Sequence, residues 1–253
     1  MVIEILDYFS QDTLWVSDSA NNVILKFSGT QLASPTRTAL TAAAVLQGAL
    51  PGTFNGPLGM AFDSSGNLWV ANNVGNTLVQ ISAAQLAAAS GPVNPITPAI
   101  TLTSTTGPGG LPTINNPWGV AVDPTNKVWF ANEQLSSGKC SGSLVQVPET
   151  LLVPGTQAPT PTVVLTQTAI AGTQSLCDPN GLSIATATPP GQTQPQTLSI
   201  SVANAQNSTV TVYAASQITS SGSPAPSFFI TGAATQLNVP MGLSYGSVLL
   251  ERE

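Results

Sequence analysis

One motif recurs along this chain at a nearly constant interval, and that interval constrains the fold more than any other feature. "PLGMAFD" at Pro57–Asp63 returns as "PWGVAVD" at Pro117–Asp123, "PNGLSIA" at Pro179–Ala185 and "PMGLSYG" at Pro240–Gly246. The motif glycines Gly59, Gly119, Gly181 and Gly242 lie 60, 62 and 61 residues apart. Other motifs keep the same beat. "LWVSD" from Leu14 corresponds to "LWVAN" from Leu68, "VWFAN" from Val128 and "ISVAN" from Ile200. "VILKF" from Val23, "TLVQI" from Thr77, "SLVQV" from Ser143 and "TVTVY" from Thr209 follow. "TALTA" from Thr38, "AITLT" from Ala99, "VVLTQ" from Val163 and "SFFIT" from Ser227 close each unit. A period of this length marks stacked supersecondary units.

Each copy is four short runs rich in Val, Ile, Thr and aromatic residues, bounded by Gly, Pro and Asn turns. Four strands repeated radially make a β-propeller blade. A β-sandwich or solenoid would need these motifs to hold register over four copies by coincidence. The expected fold is therefore all-β: one propeller region over 1–253, built of four-stranded antiparallel blades at about 1–50, 51–110, 111–172 and 173–233. Residues 234–253 are expected to supply the first strand of a further or ring-closing blade. First strands line the channel of a propeller and approach one another closely, which explains glycine in the motif. Trp15, Trp69 and Trp129 sit mid-strand and are assigned to packing between blades; Ser201 replaces them in the fourth copy, which predicts looser packing there. "DSSGN" and "DPTNK" make Asp63 and Asp123 turn formers.

Composition narrows the function. Hydrophobic residues are 42% of the chain, enough for a sizeable core, but only 6% of residues are charged, against about 25% in typical soluble domains. Five Lys and Arg against eleven Asp and Glu leave a net charge of −6. Nothing here clusters to neutralise phosphates, so nucleic acid is excluded as a partner and anionic membrane surfaces are disfavoured. No apolar run approaches the roughly 18 residues of a membrane span. The opening "MVIEILDYFSQDTLWV" has no basic leader and is interrupted by acids, so it is not a signal peptide. The Ser/Thr/Asn/Pro-rich, Lys-poor composition resembles that of exported bacterial proteins. The expected location is extracellular or periplasmic, with the signal peptide outside this chain.

"GMAFDSSGNLWVAN" resembles the blade signature of the NHL-repeat and regucalcin/gluconolactonase-like propellers, and the resemblance extends over nearly the whole chain. It implies a fold shared by binding scaffolds, lactonases, lyases and surface proteins. Gluconolactonase-like members hold a divalent metal at the channel mouth, with ligands from the residue before the motif glycine. Here those positions are Leu58, Trp118, Asn180 and Met241, and only Asn180 carries a compatible oxygen; a hard cation needs several. The related lyases use histidine, and the chain has none. No catalytic residue, metal or cofactor is expected.

The remaining candidate site is the loop after each second strand, opened by Asp18, Asn72, Asn132 and Asn204. With Asn180 they form a candidate binding rim on one face. The competing reading is local: Asn and Asp side chains cap turns through their own backbone. Cys140 lies in an insertion peculiar to the third copy, where Asn132 to Leu144 spans 12 positions against 6 from Asn72 to Leu78, and Cys177 lies in the following crossover. Both loops fall on one face in adjacent blades, which predicts a disulfide. "NST" at Asn207–Thr209 matches a glycosylation acceptor and is read as chance. Four copies and a fifth opening strand fit a fragment of a ring of six or more blades; the alternative is a four-bladed ring closed by the C-terminal strand. The expected function is a non-catalytic extracytoplasmic scaffold for a protein, glycan or small-molecule ligand. The alternative is a fragment of a propeller lactonase or streptogramin-type lyase with its catalytic residues elsewhere.

Overall fold

The computed structural model describes residues 5–8, 13–33, 39–107, 110, 112–133, 135–136, 139–170 and 173–243. Within them the chain folds almost wholly into antiparallel sheets, one for each copy of the repeat. The first contains Ile5–Tyr8, Thr13–Asp18, Val23–Ser28 and Ala44–Gly48. The second contains Pro57–Phe62, Leu68–Asn72, Thr77–Ile81 and Ile100–Thr103. The third contains Pro117–Val122, Val128–Asn132, Ser143–Val147 and Val163–Thr166. The fourth contains Pro179–Ala187, Gln196–Asn204, Thr209–Ala214 and Phe228–Ile230. Each is a meander whose strands pair in chain order, the arrangement of a propeller blade.

The Pro-x-Gly motif is a β-bulge. Pro57 pairs with Asn72 but Met60 with Val70, so one extra residue is accommodated between them. The same slip occurs between Pro117 and Val120 and between Pro179 and Leu182. A bulge bends its strand and increases local twist, which brings neighbouring inner strands backbone to backbone. A Cβ on Gly59 would collide with the Trp118 carbonyl oxygen, and one on Gly119 with that of Asn180. Glycine is required there by close approach, since neither position has a positive φ.

Three apolar cores lie between or alongside the blades. Trp15 packs with Met60, Leu68 and Val70 of the second blade. Trp69 packs with Val120, Val128 and Phe130 of the third. Trp129 packs with Ile200, Val202 and Tyr213 of the fourth. Each tryptophan therefore seals its own blade to the next, and Trp69 and Trp129 are almost wholly buried. Each such side chain removes a large apolar area from water and dominates its core.

The blades are also joined at their outer edges. Gly91–Ile96, from the second blade's last connector, runs parallel to Ala44–Gly48 of the first. Gly155–Gln157, from the third, runs parallel to Ile100–Thr103 of the second. From the fourth, Gly222 bridges Leu165, with Gly222 N donating to Val164 O (3.0 Å) and Thr166 N to Gly222 O (2.9 Å). These covering strands bond edges that would otherwise be open templates for pairing. Glutamines at matching positions in the first, second and fourth copies tie the start of the last connector, where the third copy has Leu151. Gln31 and Gln85 close capping boxes with Ser28 and Ser82. Their Nε2 atoms then donate to Thr41 O (2.7 Å) and Thr97 O (2.8 Å), and Gln217 Nε2 does the same to Ala225 O.

The innermost strand beside Thr13–Asp18 is Ile5–Tyr8, so among the described residues the C-terminal stretch does not complete the first blade. Pro240–Gly242 instead lies beside Gly181, where an added Cβ would meet Gly242 Cα and Met241 O at 2.8 Å. The expected continuation of that strand through 244–253 lies outside the described residues.

Candidate functional site

The ends of the second strands meet the openings of the inner strands on one face. Asn72, Asn132 and Asn204 are there, and all three are buried. Asn72 Nδ2 donates to Thr53 O (2.9 Å) and Thr77 Oγ1 (3.1 Å), and its Oδ1 accepts from Asn55 N (3.4 Å). Asn132 repeats the pattern with Thr113 O (2.9 Å), Ser143 Oγ (3.0 Å) and Asn115 N (3.1 Å). Asn204 accepts from Cys177 N (3.2 Å) and donates to Thr211 Oγ1 (3.2 Å). Asp18 is partly exposed and caps its own turn, accepting from Ala20 N and Asn21 N at 3.1 Å each; the Asn21 side-chain bond (2.7 Å) lowers its carboxyl pKa. The three asparagines brace the blade-to-blade crossovers and, being buried, present no rim to solvent.

A second polar set, not singled out in the sequence, ties successive blades. In the first, second and fourth copies the residue before the third strand is left-handed: Asn22 (φ 55), Asn76 (φ 51) and Ser208 (φ 54). Its oxygen accepts the backbone amide of the residue before the next Pro-x-Gly motif. Gly56 N donates to Asn22 Oδ1 (2.7 Å), Asn116 N to Asn76 Oδ1 (2.6 Å) and Val239 N to Ser208 Oγ (3.2 Å). These recipients are left-handed too, as is Asp178 (φ 57). In the third copy the hook position is Gly142, where a Cβ would strike the Pro179 ring. A disulfide between Cys140 and Cys177, 37 residues apart, joins the same two blades instead.

Beside that disulfide the inward face carries its most chemically distinctive group. Glu133 and Asp178 are half-buried neighbours whose carboxyls interact, and both titrate above their ordinary range. Burial is the main cause in each. The Asp178 charge raises Glu133 further, while Asn73 favours the charged form. Asn180, oriented with its amide nitrogen outward to the acid, donates to Asp178 O (3.3 Å) and Oδ1 (3.2 Å). The bulge positions around the channel are otherwise Leu58, which is buried, Trp118, half-buried, and Met241, exposed. They do not assemble a cation site with Asn180. Among the described residues no group of three or more His, Cys, Asp or Glu has the placement to hold a metal.

The opposite face is built by the inner turns. Asp63 does more than form its turn. Its Oδ1 accepts from Ser65 N and Asn67 N at 3.0 Å each. Its Oδ2 accepts from Asn67 Nδ2 (3.0 Å), Trp69 Nε1 (3.3 Å) and Gln80 Nε2 (3.0 Å), spanning three strands. Asp123 bonds Thr125 N (2.8 Å), Lys127 N (3.2 Å) and Trp129 Nε1 (3.2 Å). The signal was legible as Asp followed six residues later by Trp in both copies. A cleft of about 580 Å³ opens on this face between the third and fourth blades, lined in part by Lys127, Gln146, Gln194 and Gln196. The glycosylation-like Asn207 uses its Nδ2 on Thr173 Oγ1 (3.0 Å) and Gln174 O (2.8 Å).

No protein-family model matches the sequence, and no curated protein is significantly similar to it. Similar solved structures are propellers at low identity. A 6-phosphogluconolactonase-like protein of Bacteroides fragilis aligns with TM-score 0.51 and 14% identity, covering 95% of this chain and 56% of its own. A protein of unknown function from Desulfotomaculum acetoxidans gives 0.49 and 9%, covering 92% and 56%. A streptogramin B lyase gives 0.48 and 13%, covering 85% and 52%. The chain spans about half the length of these structures. Together with the sheet topology, the likeness identifies the fold as a β-propeller.

Proposed function

We propose that this chain is part of an extracytoplasmic β-propeller of the NHL-like kind that serves as a non-catalytic binding scaffold. The observation that carries the reading is the commitment of its polar groups. Asn72, Asn132 and Asn204 spend their amides on crossover backbone and neighbouring hydroxyls, and the channel-mouth positions hold Leu58, Trp118 and Met241. Groups already bonded inside the fold stabilise blades; they are not free to hold substrate or cation. The Cys140–Cys177 disulfide supports an oxidising compartment.

The second reading is a segment of a propeller lactonase or streptogramin-type lyase whose catalytic residues sit on other blades. The Glu133–Asp178 pair favours it, because half-buried carboxyls that titrate above their ordinary range suit proton transfer to or from groups supplied by those blades. A lactone-hydrolysis assay on the full-length protein that contains this chain, with and without added divalent cations, beside a glycan-array screen, separates the two. The scaffold reading expects array binding without turnover above blank. Turnover abolished by Glu133→Gln or Asp178→Asn overturns it.

A further inference from the structure

We infer that the cleft between the third and fourth blades, on the face opposite the crossovers, binds a neutral oligosaccharide through Asp123 and Gln146 on its floor. This deepens the scaffold reading and rests on it, giving the ligand a chemical class and a place.

The floor departs from the repeat in one hydrogen bond. In the second blade Gln80 Nε2 donates to Asp63 Oδ2 (3.0 Å), which also accepts from Asn67 Nδ2 and Trp69 Nε1. Asp123 and Gln146 hold the same positions in the third blade. There the glutamine is turned away. Its Oε1 accepts from Thr162 Oγ1 (2.7 Å), and among the described residues its Nε2 has no partner. The counterpart of Thr162 is Ala99, since both donate their backbone amide to the facing glutamine carbonyl; alanine has no hydroxyl to draw Gln80 aside. Asp123 Oδ2 keeps only Trp129 Nε1 (3.2 Å) among the described residues, and Lys127 replaces Asn67. Asp123 and Gln146 are each only 6% exposed, and both line the cleft. A donor and an acceptor that close on each other in one blade thus stand open in the next. A nearly buried amide nitrogen without a partner calls for one.

The wall departs from the repeat as well. Gly119 to Trp129 spans 10 positions, whereas Gly181 to Ser201, the same interval in the fourth copy, spans 20. The lengthened hairpin keeps pairing as far as Ala187 and Gln196, and Gln194 and Pro195 from its far end line the cleft with Pro148 and Ile218. The second blade is built without either departure, so neither is needed to make a blade. Both fall at one cavity.

The lining names the ligand. Its charged residues are one acid and one base, Asp123 and Lys127. An anion would meet the Asp123 carboxyl, and a cation the N–H groups of Gln146. A sugar hydroxyl satisfies both, accepting from Gln146 Nε2 while donating to Asp123 Oδ2. Gln194 offers an amide to further hydroxyls, and Pro148, Pro195 and Ile218 offer apolar surface to ring C–H groups. The volume of about 580 Å³ falls within the roughly 300–1,000 Å³ of small-molecule sites. An extended peptide docks by adding to a sheet edge, and the third blade's edge is already bonded by Gly222 at Leu165.

The test titrates the full-length protein that contains this chain with cellotriose, maltotriose, mannotriose and triacetylchitotriose. Calorimetry reads affinity, and NMR of isotope-labelled glutamine side chains reads the place. At least one trisaccharide should bind and shift the Gln146 amide resonance, which Gln146→Met identifies by its loss. Thr162→Ala recreates the second blade's arrangement and frees Gln146 to close on Asp123. Affinity should then fall about 10-fold or more at an unchanged melting temperature, and Gln146→Met should lose as much. Failure of every trisaccharide to bind overturns the inference. Binding that survives Thr162→Ala and leaves the Gln146 resonance unmoved overturns this site while the scaffold reading stands. The lactone assay judges that reading without touching Thr162 or Gln146, so the two fail separately. An acetylated trialanine amide that shifts Gln146 where no sugar does assigns the cleft to peptide and overturns the inference.

Discussion

Asn76 Oδ1 accepts the backbone amide of Asn116 at 2.6 Å, so the tip of one blade's hairpin holds the opening of the next blade's inner strand. Asn76 is itself left-handed at φ 51, a conformation asparagine tolerates better than most residues. Asn76→Ala removes both advantages. It leaves the Asn116 amide without its partner and puts alanine in a strained region. The expected cost is roughly 2 kcal/mol of unfolding free energy, read as a lower urea midpoint at unchanged slope. Asn76→Gly keeps the backbone and loses only the hook, so it should fall between wild type and alanine.

Reduction of Cys140–Cys177 should act where that hook is missing. Gly142 offers no side chain and the Pro179 ring leaves no space for one, so the disulfide is the covalent tie between the third and fourth blades at this face. Closing a 37-residue loop corresponds to on the order of 3–4 kcal/mol in the chain-entropy account. The Cys140→Ser, Cys177→Ser chain should melt several degrees lower and lose amide protection first around Ser175–Asp178. Equal melting temperatures with and without reductant would refute this.

The repeat, the tryptophan packing and most strand positions were legible because they rest on periodicity and residue size; the first copy's outer strand, expected at "TALTA" from Thr38, forms instead at Ala44–Gly48, where Ala44 and Leu46 are buried. The side-chain geometry was not. Asn72, Asn132 and Asn204 recur at one position, and recurrence alone does not distinguish a ligand rim from a brace; the difference is whether each amide turns toward Thr53, Thr113 or Cys177, or toward water. Asp63 looked like a turn residue because one oxygen does form the turn; the other reaches Trp69 and Gln80, distant in sequence. The covering strands Gly91–Ile96 and Gly155–Gln157 fall in Pro/Ser/Gly-rich connectors with no alternating pattern, since they are held by backbone bonding at an edge. The Asn22, Asn76 and Ser208 hooks were visible only as polar residues before a strand.

Asp63→Ala should be the most destabilising of the surface-turn substitutions. Asp63 is nearly buried, and its removal orphans Trp69 Nε1 and Gln80 Nε2 inside the blade as well as two turn amides. Buried donors without partners cost about 1–3 kcal/mol each, so a loss of roughly 3 kcal/mol is expected. Asp63→Asn retains one acceptor oxygen and should lose less. Chemical denaturation followed by tryptophan fluorescence reads both variants, and a cost for Asp63→Ala no greater than that of Ser65→Ala would contradict the role.

The carboxyl pair Glu133 and Asp178 gives the chain a pH dependence with a definite sign. Both titrate above their ordinary values of 4.5 and 3.8, chiefly because burial disfavours the charged form. The folded state therefore holds protons that the unfolded chain has already lost, and unfolding in that window releases them. The pair's contribution to stability is fully present below the ordinary values and declines as pH rises through the folded ones. Where both are ionised, two charges lie half-buried side by side. Glu133→Gln removes one of them and, with it, the added repulsion on its neighbour. Unfolding free energies from about pH 4 upward should fall less steeply for Glu133→Gln than for wild type, with the variant the more stable at neutral pH. Parallel profiles for the two proteins would show that the carboxyls do not sense one another.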